Sequence, residues 1–203
     1  GFTTIQYFIS MGTWFFFFMA IEHLGERSLA VSNMVRNISA LLYMVVSAFG
    51  YTGSALVSNL MGSGEQNQVM NLCGKIIKMC GAVILPLFLF VIIFPKLALR
   101  LYSDTPELIA SAVPSLYVMA SSYIFAVPAY VLFLAISGTG SIKQAMVIEL
   151  SVLVIYVLYV YFVAVYYSAD IALCWTSDTV YSFFLLVISL LYFRKGNWKS
   201  RKI

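Results

Sequence analysis

The chain has 203 residues, of which 62% are hydrophobic and 10% charged, with a formal net charge of +4 and a mean hydropathy of +0.95. A soluble domain is typically about half apolar and about a quarter charged, so the composition excludes a water-soluble globular protein and points to an integral membrane protein surrounded by lipid. The small positive excess reads as a topology signal rather than a nucleic-acid footprint, and no nucleic-acid partner is expected.

A spanning helix needs about 20 mostly apolar residues. In chain order six stretches qualify: 2–21, 29–60, 76–100, 107–137, 143–167 and 171–193. The first ends at EHLGERS, and the second is longer than a minimal span. The third has a polar, basic start in VMNLCGKIIKMC. The fourth follows SDTPE, where Ser103 and Asp104 are candidate caps and Pro106 falls in the first turn. The fifth and sixth are separated by SAD. Backbone groups in lipid must be satisfied within their own segment. The expected fold is therefore all-α, a polytopic six-transmembrane-helix bundle forming a single lobe over residues 1–203.

Basic residues set the orientation. With an even number of spans, Lys75, Lys78, Lys143, Arg194, Lys195, Lys199, Arg201 and Lys202 share one side, and Arg27, Arg36, Lys96 and Arg100 the other. The excess on the first side predicts a cytoplasmic C-terminus in a plasma membrane, of the bacterial inner-membrane type. Trp198 and Tyr192 fit an aromatic belt on that side. No cleavable signal peptide is visible, because the first apolar run lacks a basic leader.

Most chemistries of soluble enzymes find no residues here, and the chain reads as a non-enzyme. Cys73, Cys80 and Cys174 are few, odd in number and set in apolar runs, so they read as packing residues and not as a disulfide or zinc framework. His23 is the only histidine and lies in a loop beside Glu22 and Glu26. A pH-sensing role there competes with an incidental one. No metal cluster and no nucleophilic triad can be assembled. The stretch LAISGTGSIKQA at 134–145 has glycines and a lysine, but a P-loop needs a strand before it and Gly-Lys in direct succession. It reads as a turn, with Gly138 and Gly140 supplying helix-ending backbone angles.

Taken in sequence, HLGERSLAVSNMVRNIS, ALVSNLMGSGEQNQ, FPKLALRLYSDTPELI, AISGTGSIKQA, LCWTSDTVYSFF and the terminal RKGNWK resemble the C-terminal half of the multidrug and toxic compound extrusion (MATE) family. LMGSGE is similar to the family's short Gly-x-Gly-acid loop. The resemblance implies a secondary antiporter of twelve helices in two six-helix lobes, exporting amphipathic or cationic organic compounds, including xenobiotics, against a proton or sodium gradient. It implies no cofactor beyond the coupling ion. Its partners would be membrane lipid, a small amphipathic substrate and an N-terminal six-helix lobe absent from this chain. The alternatives are a lipid or lipid-linked oligosaccharide flippase of related fold, which would need a row of basic residues for phosphate, and a non-transporting truncated fragment.

Ionisable groups inside hydrocarbon are functional candidates by default. Arg36 lies eight residues past Ser28, about 12 Å in at helical rise, and Asp178 lies eight past Asp170. Their similar depth suggests a buried Arg36–Asp178 pair, with separate snorkelling as the alternative. Glu149 sits about a turn and a half into the fifth helix. A carboxyl there can take up a proton, because burial disfavours its charged form; the alternative is an edge carboxylate satisfied by water or Lys143. Glu149 and Asp178 are thus the ion-coupling candidates. Sodium-using members of the family carry acids on the first and fourth helices of this lobe, at positions that here hold Ser10 and Pro128.

Helical spacing marks candidate cleft faces: Gln6, Ser10, Thr13 and Phe17; Asn33, Arg36, Asn37 and Ala40; Tyr117, Ser121, Ile124 and Pro128. Substrate candidates on them are Gln6, Ser10, Asn33, Arg36, Asn37, Tyr117 and Ser121, with helix packing as the competing use. Gly50, Ser54, Ser58 and Gly62 form a small-residue row that reads as a close-packing seam. Pro86 and Pro128 are candidate kinks.

Overall fold

The computed structural model describes residues 2–195 and 198, with side chains described from Met11 onward. Among the described residues it is all-helical. In chain order come α1 (Phe2–Glu22), α2 (Glu26–Gly62), α3 (Val69–Ile93), α4 (Pro95–Arg100), α5 (Pro106–Gly138), α6 (Ile142–Val160), α7 (Ile171–Cys174) and α8 (Thr176–Lys195). A 3-10 turn, Gln66–Gln68, leads into α3, and a widened π-type turn, Tyr161–Tyr166, continues α6.

Five helical stretches are long and apolar enough to cross a membrane. The described side chains of α1 add a shorter apolar stretch, Met11–Glu22, whose backbone helix runs back to Phe2. The turns alternate between two ends of the bundle. Residues 22–26, 94–106 and 167–171 lie at what we term the first end, and 62–69 and 138–142 at the second.

α5 is the axis. It packs on α2 and α8 most extensively, and also on α3, α4, α6 and α7. Two-thirds of its apolar stretch is buried (67%), against 22–33% in the other four. α3 illustrates the opposite extreme. Met79, Val83, Leu85, Leu87, Leu89, Phe90 and Ile93 are exposed along it, an apolar face suited to hydrocarbon and to no aqueous medium.

Two apolar cores stack along the axis. The core at the first end gathers Phe17, Ile21, Val35, Leu116, Met119 and Trp175. The core at the second end gathers Val57, Met61, Leu132, Ile136, Leu185 and Trp198. At the first end Arg27 Nη2 ties α2 to the start of α5, donating to Ser111 Oγ at 2.7 Å. Trp175 stands in the turn between α7 and α8. Its indole N–H donates to Ser32 Oγ on α2 at 3.3 Å, and its ring meets Phe17 on α1 edge-on at 5.4 Å.

Several local expectations are corrected. The expected third span, 76–100, is two elements: α3 starts at Val69, and Phe94 separates it from α4. Pro95 causes the break, since the residue before a proline is driven out of the helical region, and Phe94 adopts φ −120 and ψ 53. Pro86, Pro114 and Pro128 lie inside helices that continue past them. Thr105, not Ser103 or Asp104, is the N-cap of α5, without a side-chain cap bond; Ser103 Oγ instead accepts the Thr105 N–H at 3.2 Å. Trp198 turns inward onto the bundle. It is buried, donates its N–H to the Phe193 carbonyl at 3.0 Å and packs edge-on against that ring.

The turn at 138–142 is dense. A Cβ on Gly138 would fall on the backbone oxygen of Ser54 and lie 3.1 Å from its Cα, so this glycine serves a close crossing of α2 and α5. Gly140 supplies the left-handed angle, with φ 77. Thr139 and Ser141 are fully buried, and Tyr192 Oη donates to Ser141 Oγ at 2.6 Å. Such a loop turns the chain and presents no phosphate cradle. In the small-residue row, Gly50 meets Leu134 and Ser54 meets Gly138, while Gly62 meets nothing within 4 Å. The seam is therefore real only over its first part. All three cysteines are free and buried.

Candidate functional site

Between the two apolar cores lies a layer of phenols drawn from four helices. Tyr43 (α2) meets Tyr130 (α5) edge-on at 5.1 Å between ring centroids. Tyr130 meets Tyr181 (α8) at 6.3 Å, and Tyr181 meets Tyr156 (α6) edge-on at 5.9 Å. Tyr130 and Tyr181 are the tyrosines that pack on both cores. Tyr123, two turns before Tyr130 on α5, donates to the Ser39 carbonyl at 2.7 Å and lies 3.1 Å from Ser39 Oγ.

Two acids belong to this layer. Asp178 is one turn before Tyr181 on α8 and half-buried. Tyr123, Tyr130, Tyr156 and Tyr181 all lie within electrostatic reach of its carboxylate, which has no cationic partner among the described residues. Glu149 is 7% exposed. It precedes Tyr156 by seven residues, two turns along one face of α6, and lies within electrostatic reach of Tyr181. Beside Asp178, Ser177 is fully buried, with its hydroxyl against the Tyr156 phenol. Among the described residues no group of three metal-ligating side chains forms.

The other candidates are distributed differently. No ion pair joins Arg36 and Asp178. Arg36 is exposed on α2, with its guanidinium 4.8 Å from the Phe18 ring centroid. A cation over an aromatic face is favourable by roughly 0.5–1 kcal/mol when exposed, so Phe18 offers Arg36 the partner that was expected in Asp178. Asn33 is half-buried, and Asn37 and Ala40 are exposed beside Arg36, so this stripe is an accessible polar face. Thr13 and Phe17 are buried, so the described part of the α1 stripe is a packing face. Gln6 and Ser10 lie outside the described side chains.

On α5, Tyr117 and Ser121 are exposed. Tyr117 Oη donates to the Ile92 carbonyl at 3.4 Å, and Ser121 Oγ to Val118 at 2.7 Å. Tyr117 therefore looks toward α3, whereas Arg36 looks toward α1, and the structure does not join the two stripes. His23 is an exposed residue at the first end.

Sequence reasoning missed Tyr43, Tyr123, Tyr130, Tyr156 and Tyr181. The available signal was spacing: Tyr156 falls two turns after Glu149, and Tyr181 one turn after Asp178.

No curated protein matches the chain closely enough to count as a relative. A family model described as MatE matches residues 3–162, more than three-quarters of the length. With that match over an all-helical bundle built for lipid, the chain belongs to the MatE family and is of the MATE transporter type.

Proposed function

We propose that this lobe works in a secondary antiporter of the plasma membrane that exports amphipathic, cationic organic compounds, with a proton or sodium gradient as the driving force. The cycle is alternating access and has no covalent step. The lobe supplies one wall of a cleft, and a second six-helix lobe supplies the other. Asn33 and Asn37, on the accessible face of α2, are the residues offered to cargo. Arg36, held over Phe18, shields that ring. Tyr117 and Ser121 form a separate exposed stripe on α5, offered to cargo on that side.

The observation that carries the reading is the pair of carboxyls in the bundle interior, Glu149 and Asp178, gathered around one phenol layer. Acids at such depth are costly unless the protein uses them, and a group that gains and loses a coupling ion is such a use. In the full-length transporter reconstituted in vesicles, an imposed proton or sodium gradient should drive efflux of a lipophilic cation. Asp178→Asn and Glu149→Gln should each abolish the dependence on that gradient, while cargo still binds. Gradient-driven efflux at the original rate in both variants would remove the coupling role.

A further inference from the structure

We infer that Arg36 is a tethered stand-in for cargo: its guanidinium occupies the Phe18 ring face on which a cationic substrate binds, and cargo enters by displacing it. The inference deepens the proposed export of organic cations and rests on that reading. It starts from a charge with an unusual partner. Arg36 is exposed on α2, about 12 Å in from Ser28 at helical rise. Its guanidinium sits 4.8 Å from the Phe18 ring centroid, and no carboxylate among the described residues pairs with it. A guanidinium at such depth faces a water-filled cavity rather than hydrocarbon. Half-buried Asn33 and exposed Asn37 continue the polar face beside it.

The ring platform is built before any ligand arrives. Phe17 is buried and packs edge-on against Trp175 at 5.4 Å. It meets Phe18 edge-on at 5.5 Å and Trp14 edge-on at 6.2 Å. With both braced on Phe17, Trp14 and Phe18 lie near-parallel, with planes 22° apart and centroids 6.3 Å apart. Trp14 is 42% exposed. The pair therefore offers two neighbouring rings, Phe18 carrying this chain's own cation and Trp14 accessible. Indole is the best aromatic face for a cation.

Aromatic monocations fit this arrangement. Their rings lie against Trp14 and their charge takes the guanidinium's place over Phe18, while Asn33 and Asn37 stand beside with amides that accept an N–H. A water-exposed cation over a ring is held loosely, unlike a buried ion pair, so the arginine can yield. Once displaced it stays on its tether beside the cargo, always charged. One positive charge on the cargo replaces the one that left, whereas a second is repelled at short range. Arg36 is thereby a specificity-determining residue. It admits what outcompetes a guanidinium on a ring, and it discriminates against dications and against uncharged rings, which have no charge to set in its place.

The test uses the full-length transporter in lipid nanodiscs, titrated with ethidium, a planar monocation, and propidium, the same ring system with a second positive charge. Dye fluorescence reports binding. Arg36→Gln keeps a polar side chain and frees the ring. It should tighten ethidium binding roughly two- to fivefold, the occupancy expected of a water-exposed cation on a ring, and propidium binding roughly tenfold. Phe18→Leu removes the shared face and should weaken ethidium binding. In that background Arg36→Gln should lose most of its gain for ethidium, because plain charge repulsion would act with or without the ring and competition for the ring would not. An undiminished gain there would overturn the stand-in, as would unchanged or weakened ethidium binding in Arg36→Gln itself. Arg36 is exposed, so the Arg36→Gln arm decides even where Phe18→Leu does not fold. Gradient-driven efflux of a lipophilic cation together with unchanged ethidium affinity in Arg36→Gln would leave the export reading standing and remove the stand-in. Failure of both dyes to bind any variant, with no such efflux, would remove both.

Discussion

The same two helices, α2 and α5, meet in two ways along their length. At mid-height they meet through large polar rings: Tyr43 against Tyr130, and Tyr123 bonded to Ser39. Toward the second end they meet through almost nothing, with Gly50 under Leu134 and Gly138 under the Ser54 carbonyl. In lipid there is no hydrophobic drive to press helices together, so association depends on backbone approach and interhelical hydrogen bonds. The glycine crossing provides the approach. That closeness holds the helices in register where the phenols, which need room, make specific contacts and bring acids into the interior. The phenol layer is suited to exchanging a charge and the glycine crossing to holding still.

The largest effect should come from filling the close crossing. Gly138→Ala drives a methyl group into the Ser54 backbone, which cannot rotate away as a side chain can. A cost of about 3 kcal/mol, the upper end of overpacking penalties, should appear as a lowered thermal midpoint and poor recovery of monodisperse protein in detergent. A normal midpoint would mean that the crossing is looser than the structure has it. A smaller effect is expected in the phenol layer, where Tyr123→Phe removes one interhelical bond. Interhelical bonds in membranes average about 0.6 kcal/mol, so the midpoint should fall slightly and the fold persist. A large loss there would make the phenol layer a structural clamp and blur the contrast. The smallest effect belongs to Gly62→Ala at the end of the same row. Nothing lies within 4 Å of its Cβ position, and alanine is the better helix former by up to about 1 kcal/mol. A neutral or slightly raised midpoint is expected, and a marked drop would show that the row packs along its whole length.

The small-residue row also marks how far the sequence could be read. The spacing of Gly50, Ser54, Ser58 and Gly62 announces a seam, but spacing is the same whether or not a partner helix is opposite. The partner, Gly138, was read as a helix terminator, because a glycine near a loop has that use more visibly than close approach. Likewise Arg36 and Asp178 share a depth, and depth is all that counting along a helix supplies. Rotation about the helix axis turned Arg36 to Phe18 and Asp178 to the tyrosines. The Phe94-Pro95 break was legible in principle, since the proline rule is local, but a continuous apolar run masked it. Spacing could tie Tyr156 to Glu149 and Tyr181 to Asp178, but not the layer as a whole: Tyr43, Tyr130, Tyr156 and Tyr181 come from four helices and lie 25 or more residues apart in sequence.

The sequence by itself determined the medium, the all-helical backbone and the alternation of turns between two ends, because hydropathy and segment length are properties of each stretch alone. Its ordered loops also carried the likeness to the MATE family, which the match over residues 3–162 bears out. Only the tertiary structure decided which faces meet: the crossing at Gly138, the docking of Trp175 and Trp198, and the gathering of Glu149 and Asp178 around the phenols. Helices whose surfaces are apolar nearly all round can rotate at little cost in hydrophobic energy, so their final orientation is set by steric fit and a few hydrogen bonds between distant residues.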